Sequence, residues 1–347
     1  MALLVAFALV PVANAQTAAA LEALYKSLPY TNVLPLAAGP VEIGGKVKPI
    51  RIGFSQTGFN HPWRVEMINS AKAEVARHSN MSIVVTDGKV DIVKQSGDID
   101  DLIAQGVDAI VMSPVEDAGL RAATRRAMAA RIPVIVLDRD VSTAKTMFIG
   151  QSNYSLGQRV GEVLVQELTK RYGEPKGNVL EITGLLGSTP ATGRRDGFAS
   201  VISKYPNIKL LARGDGEWIR EPAVKLMEDW LIRFDKIDAI YSHAEESSWG
   251  AQLAIERAGR GKQGIMHFTC DASNAGFRSV KSGEFMADGN YTPYIGDIGV
   301  RAAIYALQGK AMPGKEGYEF GERITLPDLP VVVKANVEQW LGRGWGD

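Results

Sequence analysis

The chain is predicted to fold as two similar α/β lobes, each a doubly wound parallel sheet, joined by a multi-strand hinge. Three observations predict this. Short apolar runs alternate with helix-period segments from Ile50 onward. The runs are β-branched and apolar throughout, the pattern of parallel strands buried on both faces. The 347 residues are too many for one ordinary domain and comfortable for two, and no low-complexity linker separates the halves.

The elements follow in order. Residues 1–15 are apolar and end in Ala13-Asn14-Ala15, an A-x-A cleavage signature, although the usual basic n-region is missing. The segment reads as a secretory signal peptide ending before Gln16, and it is short for a transmembrane span. Residues 16–48 hold Pro29, Pro35 and Pro40 and read as an N-terminal extension with a short helix over 18–27. From Ile50 the alternation begins. Strands are expected at Ile52–Phe54, Ile83–Val85, Ala109–Met112, Val134–Leu137 and Met147–Ile149. The helices between them are placed after Pro62, at Val93–Gln105 and at Asp117–Ala130, with Gly106 and Pro133 as stops. A second series has strands at Val179–Ile182, Ile208–Ala212, Ala239–Tyr241, Gly264–Phe268 and Phe285–Asp288. Its helices are placed at Leu156–Arg171, Gly193–Lys204, Glu221–Ile232, Ser247–Ala258, Asn274–Ser282 and Ile295–Gln308. The first lobe is expected to hold residues 49–152 and 290–318, the second 153–289 and 319–347. Crossings are expected near Gly150–Asn153 and Gly289–Thr292, where strand-end residues can act as hinges.

Composition narrows the function classes. Hydrophobic content of 46% and charged content of 22% fit a soluble globular protein. Net charge is zero with no long single-sign run, which argues against a nucleic-acid binder. Cys270 is the only cysteine, so no intrachain disulfide is possible. No cysteine follows the cleavage site, so no lipoprotein anchor is expected.

The most informative segment is Arg51 to Arg64, RIGFSQTGFNHPWR. A strand ends at Phe54, a polar turn runs from Ser55 to His61, and Pro62 suits the first turn of a helix. Strand-to-helix loops are where α/β proteins bind ligands. Ser55, Gln56, Phe59, Trp63 and Arg64 suit a hydroxylated, weakly apolar molecule such as a sugar. A phosphate would call for a glycine-rich loop. Polar groups follow six further strands: Asp138-Arg139-Asp140, the loop to Thr192 with Arg194, Asp215 to Trp218, Ser242 to Glu246, Thr269 to Asp271, and Asp288 to Thr292. Together they describe a polar cleft. The four histidines show no metal-ligand spacing. His61 lies in the key loop, where a ligand contact and a structural role are both open; His243 reads as structural.

An ordered set of motifs carries a family resemblance. It runs Gly53-Phe-Ser-Gln-Thr-Gly with Trp63-Arg64, then Gln105-Gly-Val-Asp-Ala-Ile110 and Ser113-Pro-Val115. Ile132-Pro-Val, Leu137-Asp-Arg139, Arg194 before Asp196-Gly-Phe198, Tyr241-Ser-His, Gly250-Ala and Asp271 complete it. Over residues 49–347 the chain resembles periplasmic sugar-binding proteins of the ribose-binding type (type I fold), and among them the galactofuranose-binding group. The resemblance implies a non-enzymatic, periplasmic, monomeric receptor without cofactor. It would close on a small neutral sugar and deliver it to the permease and ATPase of an ABC importer. Asp138, Arg139, Arg194 and Asp271 would then bind sugar hydroxyls, because carboxylates accept and guanidiniums donate in a fixed fork. Phe59 or Trp63, with Trp218 opposite, would stack on the ring, and Arg64 would reach an exocyclic hydroxyl. Glu245, Asn290 and Thr292 complete the expected contacts.

Two positions depart from the family pattern. Ala244, followed by Glu245-Glu246, stands where the family has an asparagine. Asn290 stands where the galactofuranose group tends to have an acid. Bland alternatives exist for several residues: Asp271 as a helix cap, Arg195 as a solvated helix face, and Glu245 and Glu246 as a pair favoured by a helix dipole. Within the receptor class, a polyol or cyclitol, or a sugar acid read by Arg64, Arg139 and Arg194, are the alternative ligands. A sugar-responsive transcription regulator would need a helix-turn-helix and a basic surface, and a glycosidase would need Asp138 and Asp271 as its acid pair.

Overall fold

The computed structural model describes Tyr30 and residues 32–346. The expected signal peptide and the helix over 18–27 lie outside the described residues. A small hairpin, β1 (Glu42–Ile43) and β2 (Lys46–Val47), precedes the lobes. The first lobe then runs β3 (Ile50–Gln56), α1 (Pro62–Ala76), β4 (Met81–Asp87), α2 (Ile92–Ala104), β5 (Ala109–Ser113), α3 (Asp117–Ala129), β6 (Val134–Leu137) and β7 (Met147–Gln151). The second runs α4 (Asn153–Tyr172), β8 (Gly177–Thr183), α5 (Thr189–Ile202), β9 (Ile208–Asp215), α6 (Arg220–Arg233), β10 (Ala239–Ser242), α7 (Glu245–Arg257), β11 (Met266–Cys270), α8 (Asn274–Ser282) and β12 (Ala287–Gly289). The chain returns through α9 (Gly296–Leu307), β13 (Glu316–Tyr318), β14 (Gly321–Leu326) and β15 (Val331–Val333).

The strands build a seven-stranded sheet, β13-β14-β7-β6-β5-β3-β4, and a six-stranded sheet, β15-β12-β11-β10-β8-β9. Pairing is parallel except at one edge of each, where β13 meets β14 and β15 meets β12 antiparallel. Every residue of β5, β6, β10 and β11 is buried, as a sheet covered by helices on both faces requires.

The return of the chain departs from the expected division. β14 pairs in parallel with β7, Glu322 to Leu326 running beside Met147 to Gln151, so residues 316–326 extend the first sheet. Only β15 and the tail after it join the second lobe. The assignment of 319–347 to one lobe is therefore corrected, and residues 327–330 make a third crossing. The sequence GERITL carries a single short apolar alternation and no helix behind it, so nothing local marked it as a strand.

The described part of the extension packs on the first lobe. Tyr30, Leu34 and Val41 are buried. The Tyr30 hydroxyl donates to the Pro327 carbonyl at 2.6 Å, and Arg77 Nη2 donates to the Leu36 carbonyl at 3.1 Å. Beneath this segment α1 and α9 share a buried charge cluster. Glu74 accepts from Arg77 (2.8 Å) and Arg301 (2.9 Å) and contacts His78 Nε2 at 3.2 Å; Arg301 also reaches Asp297 at 3.3 Å.

Candidate ligand-binding cleft

The lobes meet face to face at the carboxyl ends of their strands. His61, Trp63, Arg64, Asp138 and Arg139 from the first lobe, Pro190, Arg194, Trp218 and Asp271 from the second, and Tyr291 at a crossing line one cavity. It holds about 340 Å³ of atom-free space, part of it open to solvent. The lobes also touch directly: the Asp140 amide donates to Thr189 Oγ1 at 3.0 Å.

Local chain chemistry aims each group. His61 is the N-cap of α1, in extended backbone, with Pro62 behind it; its Nδ1 accepts from the Trp63 amide at 3.2 Å. That turn directs Trp63 and Arg64 inward. Asp138 directly follows β6 at φ 64° and Asp271 directly follows β11 at φ 138°, left-handed conformations costly for a side-chain-bearing residue. The same turns bring both carboxylates over the strand ends. Asp271 is not a helix cap, because Ser273 caps α8. Trp218 is likewise at φ 72°, and its indole lies where any residue larger than Gly184 would collide: a Cβ there would sit 2.1 Å from the ring. Arg194 reaches the cavity because α5 packs closely on α4, where a Cβ at Gly157 would stand 2.2 Å from the Arg194 carbonyl oxygen.

A chain of hydrogen bonds locks these groups. Arg194 Nε donates to Asn153 Oδ1 (2.9 Å), Asn153 Nδ2 to the Tyr291 hydroxyl (3.1 Å), and that hydroxyl to Asp138 Oδ1 (2.5 Å). Arg194 Nη1 also donates to the His243 carbonyl, and it lies 3.3 Å from Asp271 Oδ1. Arg139 donates to the Val115 carbonyl at 3.0 Å and lies 3.6 Å from Asp138 Oδ2. Arg64 Nη1 donates to Asn60 Oδ1 at 2.7 Å. Aromatic faces complete the walls. Trp63 stacks on Tyr291 with centroids 5.7 Å apart, and the Arg139 and Arg194 guanidiniums lie 5.7 and 5.3 Å from the Trp218 ring centre.

Burial governs the electrostatics. It pushes the Asp138 and Asp271 carboxyls up, against the pull of Arg139 and Arg194 respectively. It pulls Arg64 and Arg139 down. It also brings His61 down to about 3, reinforced by Arg64 and Arg139, so that imidazole is neutral. Among the described residues no group of three or more histidines, cysteines or acids is placed to hold a metal ion.

Of the residues expected from sequence, Trp63, Arg64, Asp138, Arg139, Arg194, Trp218 and Asp271 line the cavity. The others do not. Ser55 is buried against Gln95, whose Nε2 donates to its hydroxyl at 3.2 Å. Gln56 turns back on its own loop, accepting from the Thr57 amide and donating to the Arg64 carbonyl. Phe59 points outward, 44% exposed. Glu245 lies behind the cleft; it accepts from the Ser273 amide at 2.8 Å, and burial with the facing Asp288 carboxyl raises its pKa well above the ordinary value. Asn290 is buried with its carbonyl accepting from Gln151, and the Thr292 hydroxyl accepts from the Tyr294 amide. Tyr291, between those two, is the residue that faces inward. It and Pro190 were missed from sequence; the strand-end position after β12 was the available signal for Tyr291.

Comparison with known proteins agrees with this architecture. Residues 52–311 match the periplasmic binding protein domain family. The galactofuranose-binding protein YtfQ of Escherichia coli is 31% identical over 309 residues, covering 86% of this chain and 93% of its own length. The solved structure of a galactofuranose-binding protein superposes with TM-score 0.77 at 28% identity, over 85% of this chain and 98% of its own. The fructose-binding periplasmic domain of a hybrid two-component system superposes with TM-score 0.76 at 32% identity, over 85% and 94%. This chain belongs to the periplasmic binding protein family and has its two-lobed, parallel-sheet fold.

Proposed function

We propose that the protein is a non-enzymatic receptor that captures a small neutral sugar between its lobes in the periplasm and presents it to the permease of an ABC importer. One observation carries this reading: carboxylates, guanidiniums and aromatic faces from both lobes converge on a single cavity. Asp138 and Asp271 accept from ligand hydroxyls, Arg139 and Arg194 donate to its oxygens, and Trp63 and Trp218 cover apolar ring faces. Contacts from both lobes exist together only when the lobes are closed, so ligand favours closure. The relatives named above as binding galactofuranose and fructose support a monosaccharide as cargo. Catalysis has little support. Cys270, beside Asp271, is buried and its thiol is pushed up to about 12, which leaves it un-ionised.

A sugar acid is the second reading, and Arg64 favours it. This buried guanidinium forms no ion pair with a carboxylate among the described residues, its partner being the amide of Asn60. The test is a thermal-shift panel of the purified protein with aldoses in furanose and pyranose forms, pentoses, polyols, inositols and sugar acids. At a thousandfold excess over Kd a ligand contributes about 4 kcal/mol, hence a rise of several degrees. A rise with a neutral sugar is expected. A rise with acids alone replaces the first reading by the second, and a flat panel overturns both.

A further inference from the structure

Two buried carboxyls behind the cleft take no part in the proposed capture. Glu245 is the first residue of α7, and Asp288 is the middle residue of β12. They face each other over Gly276 in the first turn of α8: a Cβ there would stand 1.8 Å from Glu245 Oε1 and 2.5 Å from Asp288 Oδ2. Ionised carboxylates only accept hydrogen bonds, and two of them side by side in a buried space disfavour each other's charge. Their contact becomes a bond when one proton stays between the two oxygens. Such a proton also satisfies Asp288 Oδ2, which no amide or hydroxyl of the described residues reaches.

The other contacts of the pair fall on one turn. Glu245 Oε1 accepts from the Ser273 amide at 2.8 Å, and Asp288 Oδ1 accepts from the Ala272 amide at 3.3 Å. These are the two amides that follow Asp271. The turn is strained, with Asp271 at φ 138° and Ala272 at φ 68°, and such strain persists only where the surroundings over-determine it. Arg194 on α5, Cys270 on β11, Asp271 after it and Ser273 at the start of α8 act on the pair from the elements around it. Burial raises both carboxyls: Glu245 well above the ordinary range, with Asp288 adding to the rise, and Asp288 to about 7.

We propose that Glu245 and Asp288 are positioning residues: they share one retained proton and, bonded to each other, hold the turn that aims Asp271 into the cavity. The inference rests on the reading of the cleft as a sugar site, and neither residue lines that cavity. Without the proton the two carboxylates repel, and the Ala272 and Ser273 amides lose the acceptors that fix the direction of Asp271.

The test compares Asp288→Asn and Asp288→Ala with wild type. Asparagine keeps an acceptor for the Ala272 amide and puts an N–H where the shared proton lies, whereas alanine removes both. The probes are D-ribose, L-arabinose, D-galactose, xylitol and myo-inositol, titrated calorimetrically at about pH 8, where ordinary carboxyls are ionised. For the probe that wild type binds best, Asp288→Ala should lose about tenfold in affinity, the scale of one buried hydrogen bond. Asp288→Asn should stay close to wild type. Denaturant unfolding across a pH series reads the proton itself. Folded wild type keeps a proton that its unfolded chain releases above about pH 4, so its stability falls as pH rises. In Asp288→Asn the amide replaces that proton, so its stability relative to wild type should grow from about pH 4 to pH 8. Parallel pH dependence of the two overturns the shared proton, as does an equal loss of affinity in both variants. Full affinity in Asp288→Ala overturns the positioning role while leaving the sugar reading intact. Failure of every probe to bind wild type overturns the sugar reading and the positioning role with it.

Discussion

Two buried charge clusters in this molecule have similar ingredients and different closure. Around Glu74, in the first lobe, one carboxylate is bonded by Arg77, His78 and Arg301 together, and the partners come from helices packed side by side. In the cleft, Asp138 and Asp271 each have one close arginine at 3.6 and 3.3 Å, and Arg64 rests on an amide alone. The first cluster gathers three partners on one carboxylate and ties α1 to α9, although Arg77 Nε and Asp297 Oδ1 within it lack a hydrogen-bond partner. The second leaves hydrogen-bonding capacity pointing into empty space between two lobes. Buried charge by itself therefore does not mark a site; buried charge with unfilled partners facing a cavity does.

The largest effect expected from breaking this contrast is at Arg194. Arg194→Ala removes the guanidinium that holds Asn153, the His243 carbonyl and Asp271. Leaving Asp271 buried without its partner costs on the order of 3–5 kcal/mol. Calorimetric titration should show sugar affinity reduced more than about a hundredfold. Affinity within tenfold of wild type would make Arg194 scaffolding only.

Glu74→Ala should do the reverse. Stability should fall by about 3–5 kcal/mol, measured by denaturant unfolding, while sugar affinity stays near wild type. Its pH dependence sharpens the point. Burial pushes the Glu74 carboxyl up, but hydrogen bonds from His78 and Arg301 outweigh it and bring it from 4.5 down to about 2. A depressed carboxyl stabilises the folded state above its unfolded value and loses that contribution as pH falls through the folded one. The stability gap between wild type and variant should therefore be full above about pH 4.5 and close progressively toward pH 2.

The smallest effect is one residue from the largest. Arg195 pairs with Asp196 on the exposed face of α5. Arg195→Ala should change stability by less than about 0.5 kcal/mol and leave affinity unchanged. A large loss of binding would mean that α5 presents a different face to the cleft.

Much of this was legible in the chain. Asn274–Ser282 and Val134–Leu137 have the bounds expected from sequence, and the polar residues that follow buried strands include Asp138, Arg139, Trp218 and Asp271 of the cavity. Residues near in sequence were harder to separate. Gln56 and Arg64 share one loop, yet the first supports the main chain of the second. Asn290, Tyr291 and Thr292 are consecutive, and only the middle one enters the cavity. Strand β14 escaped because an edge strand of mixed polarity is recognised by the strand it pairs with, here β7.

The sequence by itself determined the alternation of strands and helices, and with it the sheets and the strand ends where polar groups gather. Periodicity and burial are properties of neighbouring residues, so they can be read locally. The tertiary structure decided which polar groups are spent on the protein and which stay open. Arg194, Asn153, Tyr291 and Asp138 are linked through contacts spanning 41, 138 and 153 residues. Such partners are chosen by the meeting of two lobes, and a hydrogen bond made there leaves no periodic trace in the chain.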